Sequence, residues 1–524
     1  GNLDELRLGI GSISHRVSLE DGIGLNRNRA SAVIVLGMCD WVGVCCRADA
    51  PWSSSRMAGS MDQLQDQAPR PAGKAAKVRG RVTNAVGVMR GDGLRARAMR
   101  GSSWTIVGFG SQQIIRLASN LILTRLLFPE AFGLMSLAQV FMQGLVMLSD
   151  IGVGPSIVQN ERGDDPAFLS TAWTMQVIRG FVLFACMCIL AYPASLMYNE
   201  PLLFPILLLI GSTAILTGFQ SIGLATASRK LLLGRLTALD LISQLVGITI
   251  MIVWAWLHPT IWALVGGGVV SSAVRVVLGH RIFRSPGNRF HFDRDAAHHI
   301  FHFGKWIFLA TAMTYFGGQG LRLIQGALVP MDVLGVISIA GTMALAMRGL
   351  IVKIGNSVLF PAFADLVRKN PEKLRSRLAE SRSKLFWVTL PVFLVLIVFA
   401  HPIIEFLYDE RYVAAGGYLT IMATGAAIMS IRTPFGMVLL SFGDSLGHSI
   451  VMTASAVLLV IGTFVGFRVG GVEGMLIATV LVQLLLYPLE AWRLKRVGQW
   501  MPFFDISAML FYAALCMAVM AVGL

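Results

Sequence analysis

Charged side chains are scarce in this chain of 524 residues. Its 44 Lys and Arg and 29 Asp and Glu make up only 14% of the residues, whereas a soluble domain carries roughly 25%. Hydrophobic residues make up 55%, and the mean hydropathy is +0.67. This composition excludes a disordered chain, a collagen-like fibre and an ordinary soluble enzyme of this length. It predicts an all-α integral membrane protein.

Cysteine is also rare, and no Cys-x-x-Cys pair occurs among the six residues Cys39, Cys45, Cys46, Cys186, Cys188 and Cys516. The last three lie inside apolar runs, where a thiol behaves as a small hydrophobic group. His298 and His302 have the i, i+4 spacing of zinc ligands, but a helix at the bilayer surface explains them as well. We therefore expect no disulfide framework, no metal and no cofactor.

The first 100 residues differ from the rest of the chain. They combine Ser, Gly and Pro with a basic run from Arg70 to Arg100 and show little hydrophobic periodicity. We predict a basic, disordered N-terminal tail at residues 1–100. The alternative interpretation is a start inside this tail, at Met57, Met61, Met89 or Met99.

Apolar runs of about twenty residues follow the tail, each long enough to cross about 30 Å of hydrocarbon as a helix. We predict about thirteen spans, within a range of about twelve to fourteen. Their expected positions are residues 104–127, 131–149, 169–192, 202–224, 238–256, 259–278, 304–328, 333–352, 385–406, 417–440, 449–467, 474–490 and 504–524.

Lys and Arg are concentrated in every second loop between these spans, for example Arg229, Lys230 and Arg235, or Arg281, Arg284 and Arg289. The positive-inside rule then predicts a cytoplasmic N-terminus and cytoplasmic even-numbered loops. The net charge of +15 (44 − 29) is thereby assigned to topology and to contact with anionic lipid, and not to nucleic acid.

The two halves of the chain are similar when one is shifted by 202 residues, which places Trp104 on Trp306, Gly133 on Gly335 and Ala138 on Ala340. Because six spans separate the copies, both have the same orientation, as parallel repeats do. We predict two pseudo-symmetric six-helix bundles at 101–282 and 304–490. A basic cytoplasmic linker at 283–303 joins them, and a basic loop with an extra helix follows at 491–524.

Polar or small residues recur every three or four positions in the first span of each half. They are Gln112, Arg116 and Asn120 in one, and Thr311, Thr314, Gly318, Arg322 and Gln325 in the other. An arginine at the bilayer centre costs roughly 2.5–3.5 kcal/mol, so such stripes tend to face a wet cavity or a partner. We predict that both line the space between the bundles and that Arg116 and Arg322 bind an anionic substrate group there. The alternative is that each arginine pairs inside its own bundle or snorkels to an interface.

Other ionisable residues inside the spans are weaker candidates. Arg179 in the third span and Arg432, beside Pro434 in the tenth, are predicted cavity residues. Asp150 is the candidate for ion coupling, although helix capping explains it too. Snorkelling explains Arg275, Arg348 and Lys353, which lie near predicted cytoplasmic ends.

Several segments resemble the Wzx-like polysaccharide flippases of the multidrug/oligosaccharidyl-lipid/polysaccharide superfamily. They are LTRLLFPEAFGLMSLA and LSDIGVGPSIVQ in the first half, and the run at 303–366 and LYDERYVAAGGYLTIM in the second. The resemblance implies alternating access, by which an oligosaccharide on polyprenyl pyrophosphate crosses the bacterial inner membrane for lipopolysaccharide or exopolysaccharide synthesis. It implies no covalent chemistry. The implied partners are the lipid-linked oligosaccharide and membrane lipid, together with a polymerase and glycosyltransferases.

Three alternatives remain open at this point. A drug or ion antiporter of the same superfamily would depend on an intramembrane carboxylate such as Asp150 or Glu405. A membrane polymerase or glycosyltransferase would need a sizeable extramembrane region or an acidic cluster, whereas the breaks between these spans are short and basic. A scaffold for sugar assembly is the third.

Overall fold

The computed structural model describes residues 94–522 with gaps at 151, 161, 299, 301–314, 316–319, 356–358, 360–362, 364–365, 368–370 and 443. The predicted tail therefore lies outside the described residues up to 93. So do Thr311, Thr314 and Gly318 of the second stripe, and His299 and His302.

Long helices build the first lobe. They are α1 (Leu94–Leu126), α2 (Pro129–Leu148), α4 (Pro166–Met197), α5 (Leu203–Gly218), α7 (Leu233–Leu257) and α8 (Trp262–Ile282), with short helices α3 (Val153–Gln159) and α6 (Gly223–Arg229) between them. The axis of α6 is bent by 64° from that of α5. Helix α1 begins before the expected start of its span at residue 104.

The second lobe repeats this plan. It contains α9 (Gly320–Leu328), α10 (Met331–Ile354), α11 (Pro371–Val398), α12 (Ala400–Leu407), a 3₁₀ turn (Glu410–Tyr412), α13 (Ala415–Ser441), α14 (Ser445–Arg496) and α15 (Pro502–Val522). In the described part of the chain, nine helices are long and apolar enough to cross a membrane, or ten when α5 and α6 count as one bent span. The all-α membrane fold is confirmed, while the number thirteen stays a prediction.

Helix α14 is two predicted spans joined by a tight break. Gly470 and Gly471 have non-helical dihedrals, and Gly471 has a φ of 58°, which favours glycine. On either side of the break, Gly466 and Gly474 pack so closely that a Cβ on either would meet the other's backbone. The two halves of α14 are therefore an antiparallel hairpin, as the expected spans at 449–467 and 474–490 require.

Corresponding helices of the two lobes begin in the same way. Phe128 before α2 and Pro330 before α10 are both extended, at ψ 154° and ψ 157°. Glu130 and Asp332 then place a carboxylate in the first turn, where the helix dipole favours negative charge. These positions are 202 residues apart in the chain, so the sequence repeat is also a repeat of local structure.

The lobes meet where α2 packs along α10. Ala138 and Ala340, which correspond under the repeat, are both fully buried at 0% exposure. Small residues let the backbones of membrane helices approach closely, which gains dispersion contacts that lipid does not supply. The core of the molecule thus runs through the boundary between the lobes and continues into α13, where Leu419 and Ala423 are fully buried.

The two ends of the bundle differ in charge. One end, called here the basic face, carries α3, α6 and the start of α4, with Arg229, Lys230 and Arg281. The other end, called the opposite face, carries Tyr198 after α4 and the 3₁₀ turn Glu410–Tyr412.

The described part of the predicted linker packs on the basic face of the first lobe. The amide of Asn288 accepts a hydrogen bond from the backbone N–H of Ile222 at 3.0 Å. Thr174 Oγ1 accepts from the backbone N–H of His291 at 3.1 Å, and the rings of Phe290 and Trp173 are 4.9 Å apart. These contacts hold the start of the linker against α4 and α6.

Helix α15 docks on the second lobe through a buried ion pair. Arg382 of α11 and Asp505 of α15 have side-chain exposures of 2% and 0% and are joined by a hydrogen bond. The guanidinium carbon of Arg382 also lies 4.6 Å from the centre of the Phe435 ring on α13. Because a buried charge that loses its partner is costly, this pair makes α15 part of the lobe.

Candidate functional site: arginines between the lobes

The first polar stripe lies on the side of α1 that faces the second lobe. Phe109 of α1 reaches within 3.0 Å of where a Cβ of Gly349 on α10 would stand. Arg116 is seven residues further along α1, which is about two helical turns, so it shares this side of the helix. Arg116 is ten residues before Leu126, or about 15 Å from the end of α1. It therefore lies near the middle of the span predicted at residues 104–127.

Arg116 is exposed, and Gln112 and Asn120 beside it are half-buried. Among the described residues, the Arg116 guanidinium has no hydrogen-bond or ion-pair partner. The backbone carbonyl of Gln112 accepts a hydrogen bond from Gln244 Nε2 of α7 at 3.1 Å. The stripe is thus anchored to its own lobe at one edge, while its arginine projects from the packed surface.

In the second stripe, Arg322 and Gln325 lie in the described part of the chain, both on α9. Gln325 is 4% exposed, and Arg322 is half-buried. No described residue forms a hydrogen bond or ion pair with the Arg322 guanidinium. The carbonyl of the next residue, Leu323, accepts a hydrogen bond from Tyr198 of the first lobe at 3.0 Å. This part of α9 therefore lies at the boundary between the lobes.

Arg179 is bound within the first lobe. Its Nη2 donates to the backbone carbonyl of Val146 at 2.6 Å, and its Nε donates to Ser149 Oγ at 3.0 Å. The carbonyls at the end of α2 lack intrahelical partners, and the helix dipole favours a cation there. Asp150 shapes the same turn, since its Oδ1 accepts from the Gly152 N–H at 2.9 Å. Both residues thus have packing contacts, and their substrate and coupling roles stay predictions.

Arg432 is held inside the second lobe, with 8% of its surface exposed. Its Nε and Nη2 donate to the two carboxylate oxygens of Glu490 at 2.7 Å each. Its Nη1 donates to the Gln483 carbonyl at 2.9 Å. Such a bidentate pair occupies most of the donors that a phosphate would use. The cavity role predicted for Arg432 has no support from these contacts.

Arg348, which the sequence analysis assigned to snorkelling, is a further candidate site residue. It lies on α10 and is half-buried, and its Nε is shielded from solvent with no hydrogen-bond partner among the described atoms. It is also close enough to Arg432 for the two positive charges to interact. The trace of this in the sequence is its position one residue before Gly349. That Gly349 contacts α1 is visible only in the folded structure.

Arg116, Arg322 and Arg348 therefore form a set that differs from Arg179 and Arg432. Each of the three lies on a helix that borders the other lobe, and described carboxylates neutralise none of them. A guanidinium fork binds two oxygens of a phosphate at once and stays charged at every physiological pH. The set is suited to an anionic group that enters between the lobes. Within the described chain, no group of three His, Cys, Asp or Glu residues is placed to hold a metal ion.

Two repeated helical lobes, packed together chiefly through α2 and α10 and with unneutralised arginines at their boundary in the described chain, have the architecture of a membrane transporter. The chain belongs to the polysaccharide biosynthesis protein family, whose profile matches residues 122–416, more than half of the 524 residues. This match confirms the resemblance seen in the sequence.

Relatives agree with this assignment, and a solved structure shares the fold. The chain is 23% identical over 435 residues to the lipopolysaccharide biosynthesis protein WzxC of Escherichia coli K12, covering 78% of this chain and 86% of the relative. It is 21% identical over 380 residues to the succinoglycan biosynthesis transport protein ExoT of Rhizobium meliloti 1021, covering 72% and 75%. The lipid II flippase MurJ in an inward closed conformation superposes with a TM-score of 0.62 at 12% identity, covering 80% and 92%, which establishes the shared fold.

Proposed function

We propose that this protein moves an oligosaccharide linked to polyprenyl pyrophosphate from the inner to the outer leaflet of the bacterial inner membrane by alternating access. The observation that supports this proposal is the set of arginines without a described carboxylate partner on helices that border the other lobe, namely Arg116, Arg322 and Arg348. A pyrophosphate that enters between the lobes would supply the negative charge that these residues lack in the described chain.

The proposed orientation places the basic face in the cytoplasm, together with the N-terminus, since Lys and Arg are concentrated in the loops of that face. The lipid-linked substrate would then enter where the bundle attracts anionic head groups. Membrane lipid and the lipid-linked oligosaccharide are the proposed partners. A polysaccharide polymerase and glycosyltransferases would act on the same lipid before and after transfer.

The test is the sidedness of the lipid-linked oligosaccharide in cells that lack this protein. A glycan-modifying enzyme added to spheroplasts reaches only the outer leaflet. We expect the intermediate to accumulate in a protected form, and the wild-type gene to restore access. For alanine variants of Arg116 and Arg322 in the same assay, Arg468→Ala is the matched control. Arg468 is exposed beside the α14 break and lies far along the chain from both stripes.

Unchanged sidedness in the deletion strain would contradict the proposal. If resistance to a cationic drug fell instead, the antiporter interpretation would replace it. Formation of new glycosidic bonds by the purified protein would favour the enzyme alternative. Membrane abundance of each variant is measured alongside, so that loss of protein is not mistaken for loss of transport.

A further inference from the structure

The C-terminal end of α1 is capped by the other lobe. Its last carbonyls have no intrahelical partners, and two carbonyls there accept hydrogen bonds from the 3₁₀ turn. Arg411 Nη2 donates to the Thr124 carbonyl at 3.3 Å, and Tyr412 Oη donates to the Leu127 carbonyl at 3.3 Å. The guanidinium also lies 5.0 Å from the centre of the Phe128 ring. A cation at this end of a helix is favoured by the helix dipole.

Further contacts fix the orientation of the Arg411 and Tyr412 side chains. Asp409 Oδ2 accepts from Arg411 Nε at 2.8 Å, and Asp409 Oδ1 accepts from the Arg411 backbone N–H at 3.1 Å. Tyr412 is 0% exposed, and its ring meets that of Phe132 on α2 edge-on, with centres 6.3 Å apart. The turn is thus a rigid element of the second lobe that reaches across the boundary.

Tyr198 makes the reverse connection on the same face. It follows α4 of the first lobe, and its Oη donates to the Leu323 carbonyl of α9 in the second lobe at 3.0 Å. Its ring packs edge-on against Phe141 of α2, with centres 6.0 Å apart. Tyr198 of the first lobe therefore reaches α9 of the second lobe, and Tyr412 of the second lobe reaches the end of α1 in the first.

Polar contacts at the basic face connect parts of one lobe. Arg229 Nη1 donates to the Ile157 carbonyl at 2.8 Å, and Ser221 Oγ donates to the Phe283 carbonyl at 2.7 Å. Both bonds join elements of the first lobe and the start of the linker. The hydrogen bonds of Arg411, Tyr412 and Tyr198, by contrast, join one lobe to the other at the opposite face.

We infer that Arg411, Tyr412 and Tyr198 form a latch that keeps the outer face closed while substrate enters from the cytoplasm, and that opens to release it. This inference rests on the proposed function, because it takes the opposite face as the outer one. The bonds are well suited to breaking, since each joins a side chain to a backbone carbonyl that water can serve equally well once the face opens.

The two arms of the latch differ in strength. The Thr124 carbonyl stands in the last turn of α1 and the Leu127 carbonyl directly follows α1, where backbone partners run out. The Leu323 carbonyl stands inside α9 (Gly320–Leu328), where the helix itself supplies a donor. We expect the loss of Tyr412 Oη to open the face more than the loss of Tyr198 Oη.

The experiment measures access from outside to a cysteine on the first stripe. The six native cysteines are replaced by serine, Asn120→Cys is added as the reporter, and an impermeant maleimide is applied to spheroplasts. We expect Tyr412→Phe and Arg411→Gln to raise labelling several-fold, and Tyr198→Phe to raise it less. Tyr192→Phe is the matched control, because Tyr192 is 62% exposed near the same end of α4, and it should leave labelling unchanged.

A second measurement locks the latch with a cross-link, in the cysteine-free protein without the reporter. Phe128→Cys and Arg411→Cys place one thiol on each side of the boundary, and both side chains become shorter than the pair that now meets across it. A bifunctional methanethiosulfonate, whose spacer makes up for the lost length, should abolish transfer, and a reductant should restore it. Equal labelling of Tyr412→Phe, Arg411→Gln and the control, or undiminished transfer by the cross-linked protein, would overturn the latch. The latch variants could raise labelling even though deletion of this protein leaves the sidedness of the lipid-linked oligosaccharide unchanged. That result would support the latch and refute the proposed substrate.

Discussion

Gly133 and Gly335, 202 residues apart in the chain, lie against each other where α2 crosses α10. A Cβ on Gly133 would collide with the backbone carbonyl of Met331, and a Cβ on Gly335 would collide with that of Pro129. Each would also come within 3.1 Å of the other glycine's backbone nitrogen. The relationship is the same when the lobes are exchanged, so this crossing marks the pseudo-twofold axis of the molecule.

Gly133→Ala should weaken the joint between the lobes. The added methyl meets backbone that must shift as a unit, and overpacking of this kind costs about 1–3 kcal/mol. We expect a lower melting temperature of the detergent-solubilised protein, measured by size-exclusion chromatography after heating, and reduced polymer export. Gly268→Ala in α8 is the control, because a Cβ there has no neighbour within 4 Å. Equal melting temperatures for the two variants would show that the crossing is not tight.

Arg116→Ala and Arg322→Ala should each reduce transfer by about tenfold or more, since a charge-assisted hydrogen bond contributes about 1.5–3 kcal/mol. Arg116→Lys should recover only part of the loss, because lysine keeps the charge without the two-pronged geometry. The measurement is export of the polymer at equal membrane abundance. Wild-type export by both alanine variants would remove the proposed anion site.

The Arg432 and Glu490 pair should matter for stability more than for substrate. Glu490→Ala leaves a buried guanidinium without its carboxylate, which costs about 3–5 kcal/mol. Replacing both residues with methionine should restore most of the melting temperature, because no isolated charge remains. If the double variant were stable and yet unable to transfer substrate, Arg432 would have a role in transport beyond packing.

Asp409 makes the latch insensitive to the outer pH over the ordinary range. Hydrogen bonds from Arg411 lower the pKa of the Asp409 carboxyl, with Arg125 adding attraction and Glu130 facing Arg411 from α2. A lowered folded pKa means that its stabilising effect is present above the ordinary value of about 3.9 and is lost as the pH falls through the folded pKa.

Labelling of the Asn120→Cys reporter, divided at each pH by labelling of the same reporter in Tyr412→Phe, should therefore stay flat between about pH 8 and about pH 5, because the pH dependence of the reacting thiolate cancels in the ratio. Asp409→Asn should raise it at every pH, because the amide no longer attracts Arg411. Glu410→Gln, one residue further along the turn, serves as the comparison. A steep rise of the wild-type ratio near pH 6 would point to another titrating group in the latch.

Local patterns carried the prediction of the membrane fold. Apolar runs locate α2, α4, α7 and α8 within a few residues, and the 202-residue repeat identified the equivalence of Gly133 and Gly335 before their contact was seen. Hydropathy depends on neighbouring residues and a repeat on two aligned copies, so both can be recognised from the sequence alone. Hydropathy treated the α5 and α6 region as one continuous span, yet the axes bend by 64° there, because a bend leaves the average hydropathy unchanged.

The sequence by itself determined the membrane environment, the repeat and the polar stripes, because each depends on residue type and spacing along the chain. Only the tertiary structure decided which arginines are neutralised. Arg432 finds Glu490 across 58 positions, and Arg411 finds Thr124 across 287, whereas Arg116 finds no described carboxylate. Inside a membrane, where water is absent, the role of a charge depends on the neighbours that packing places beside it. Patterns of local spacing in a sequence cannot predict contacts between residues so far apart in the chain.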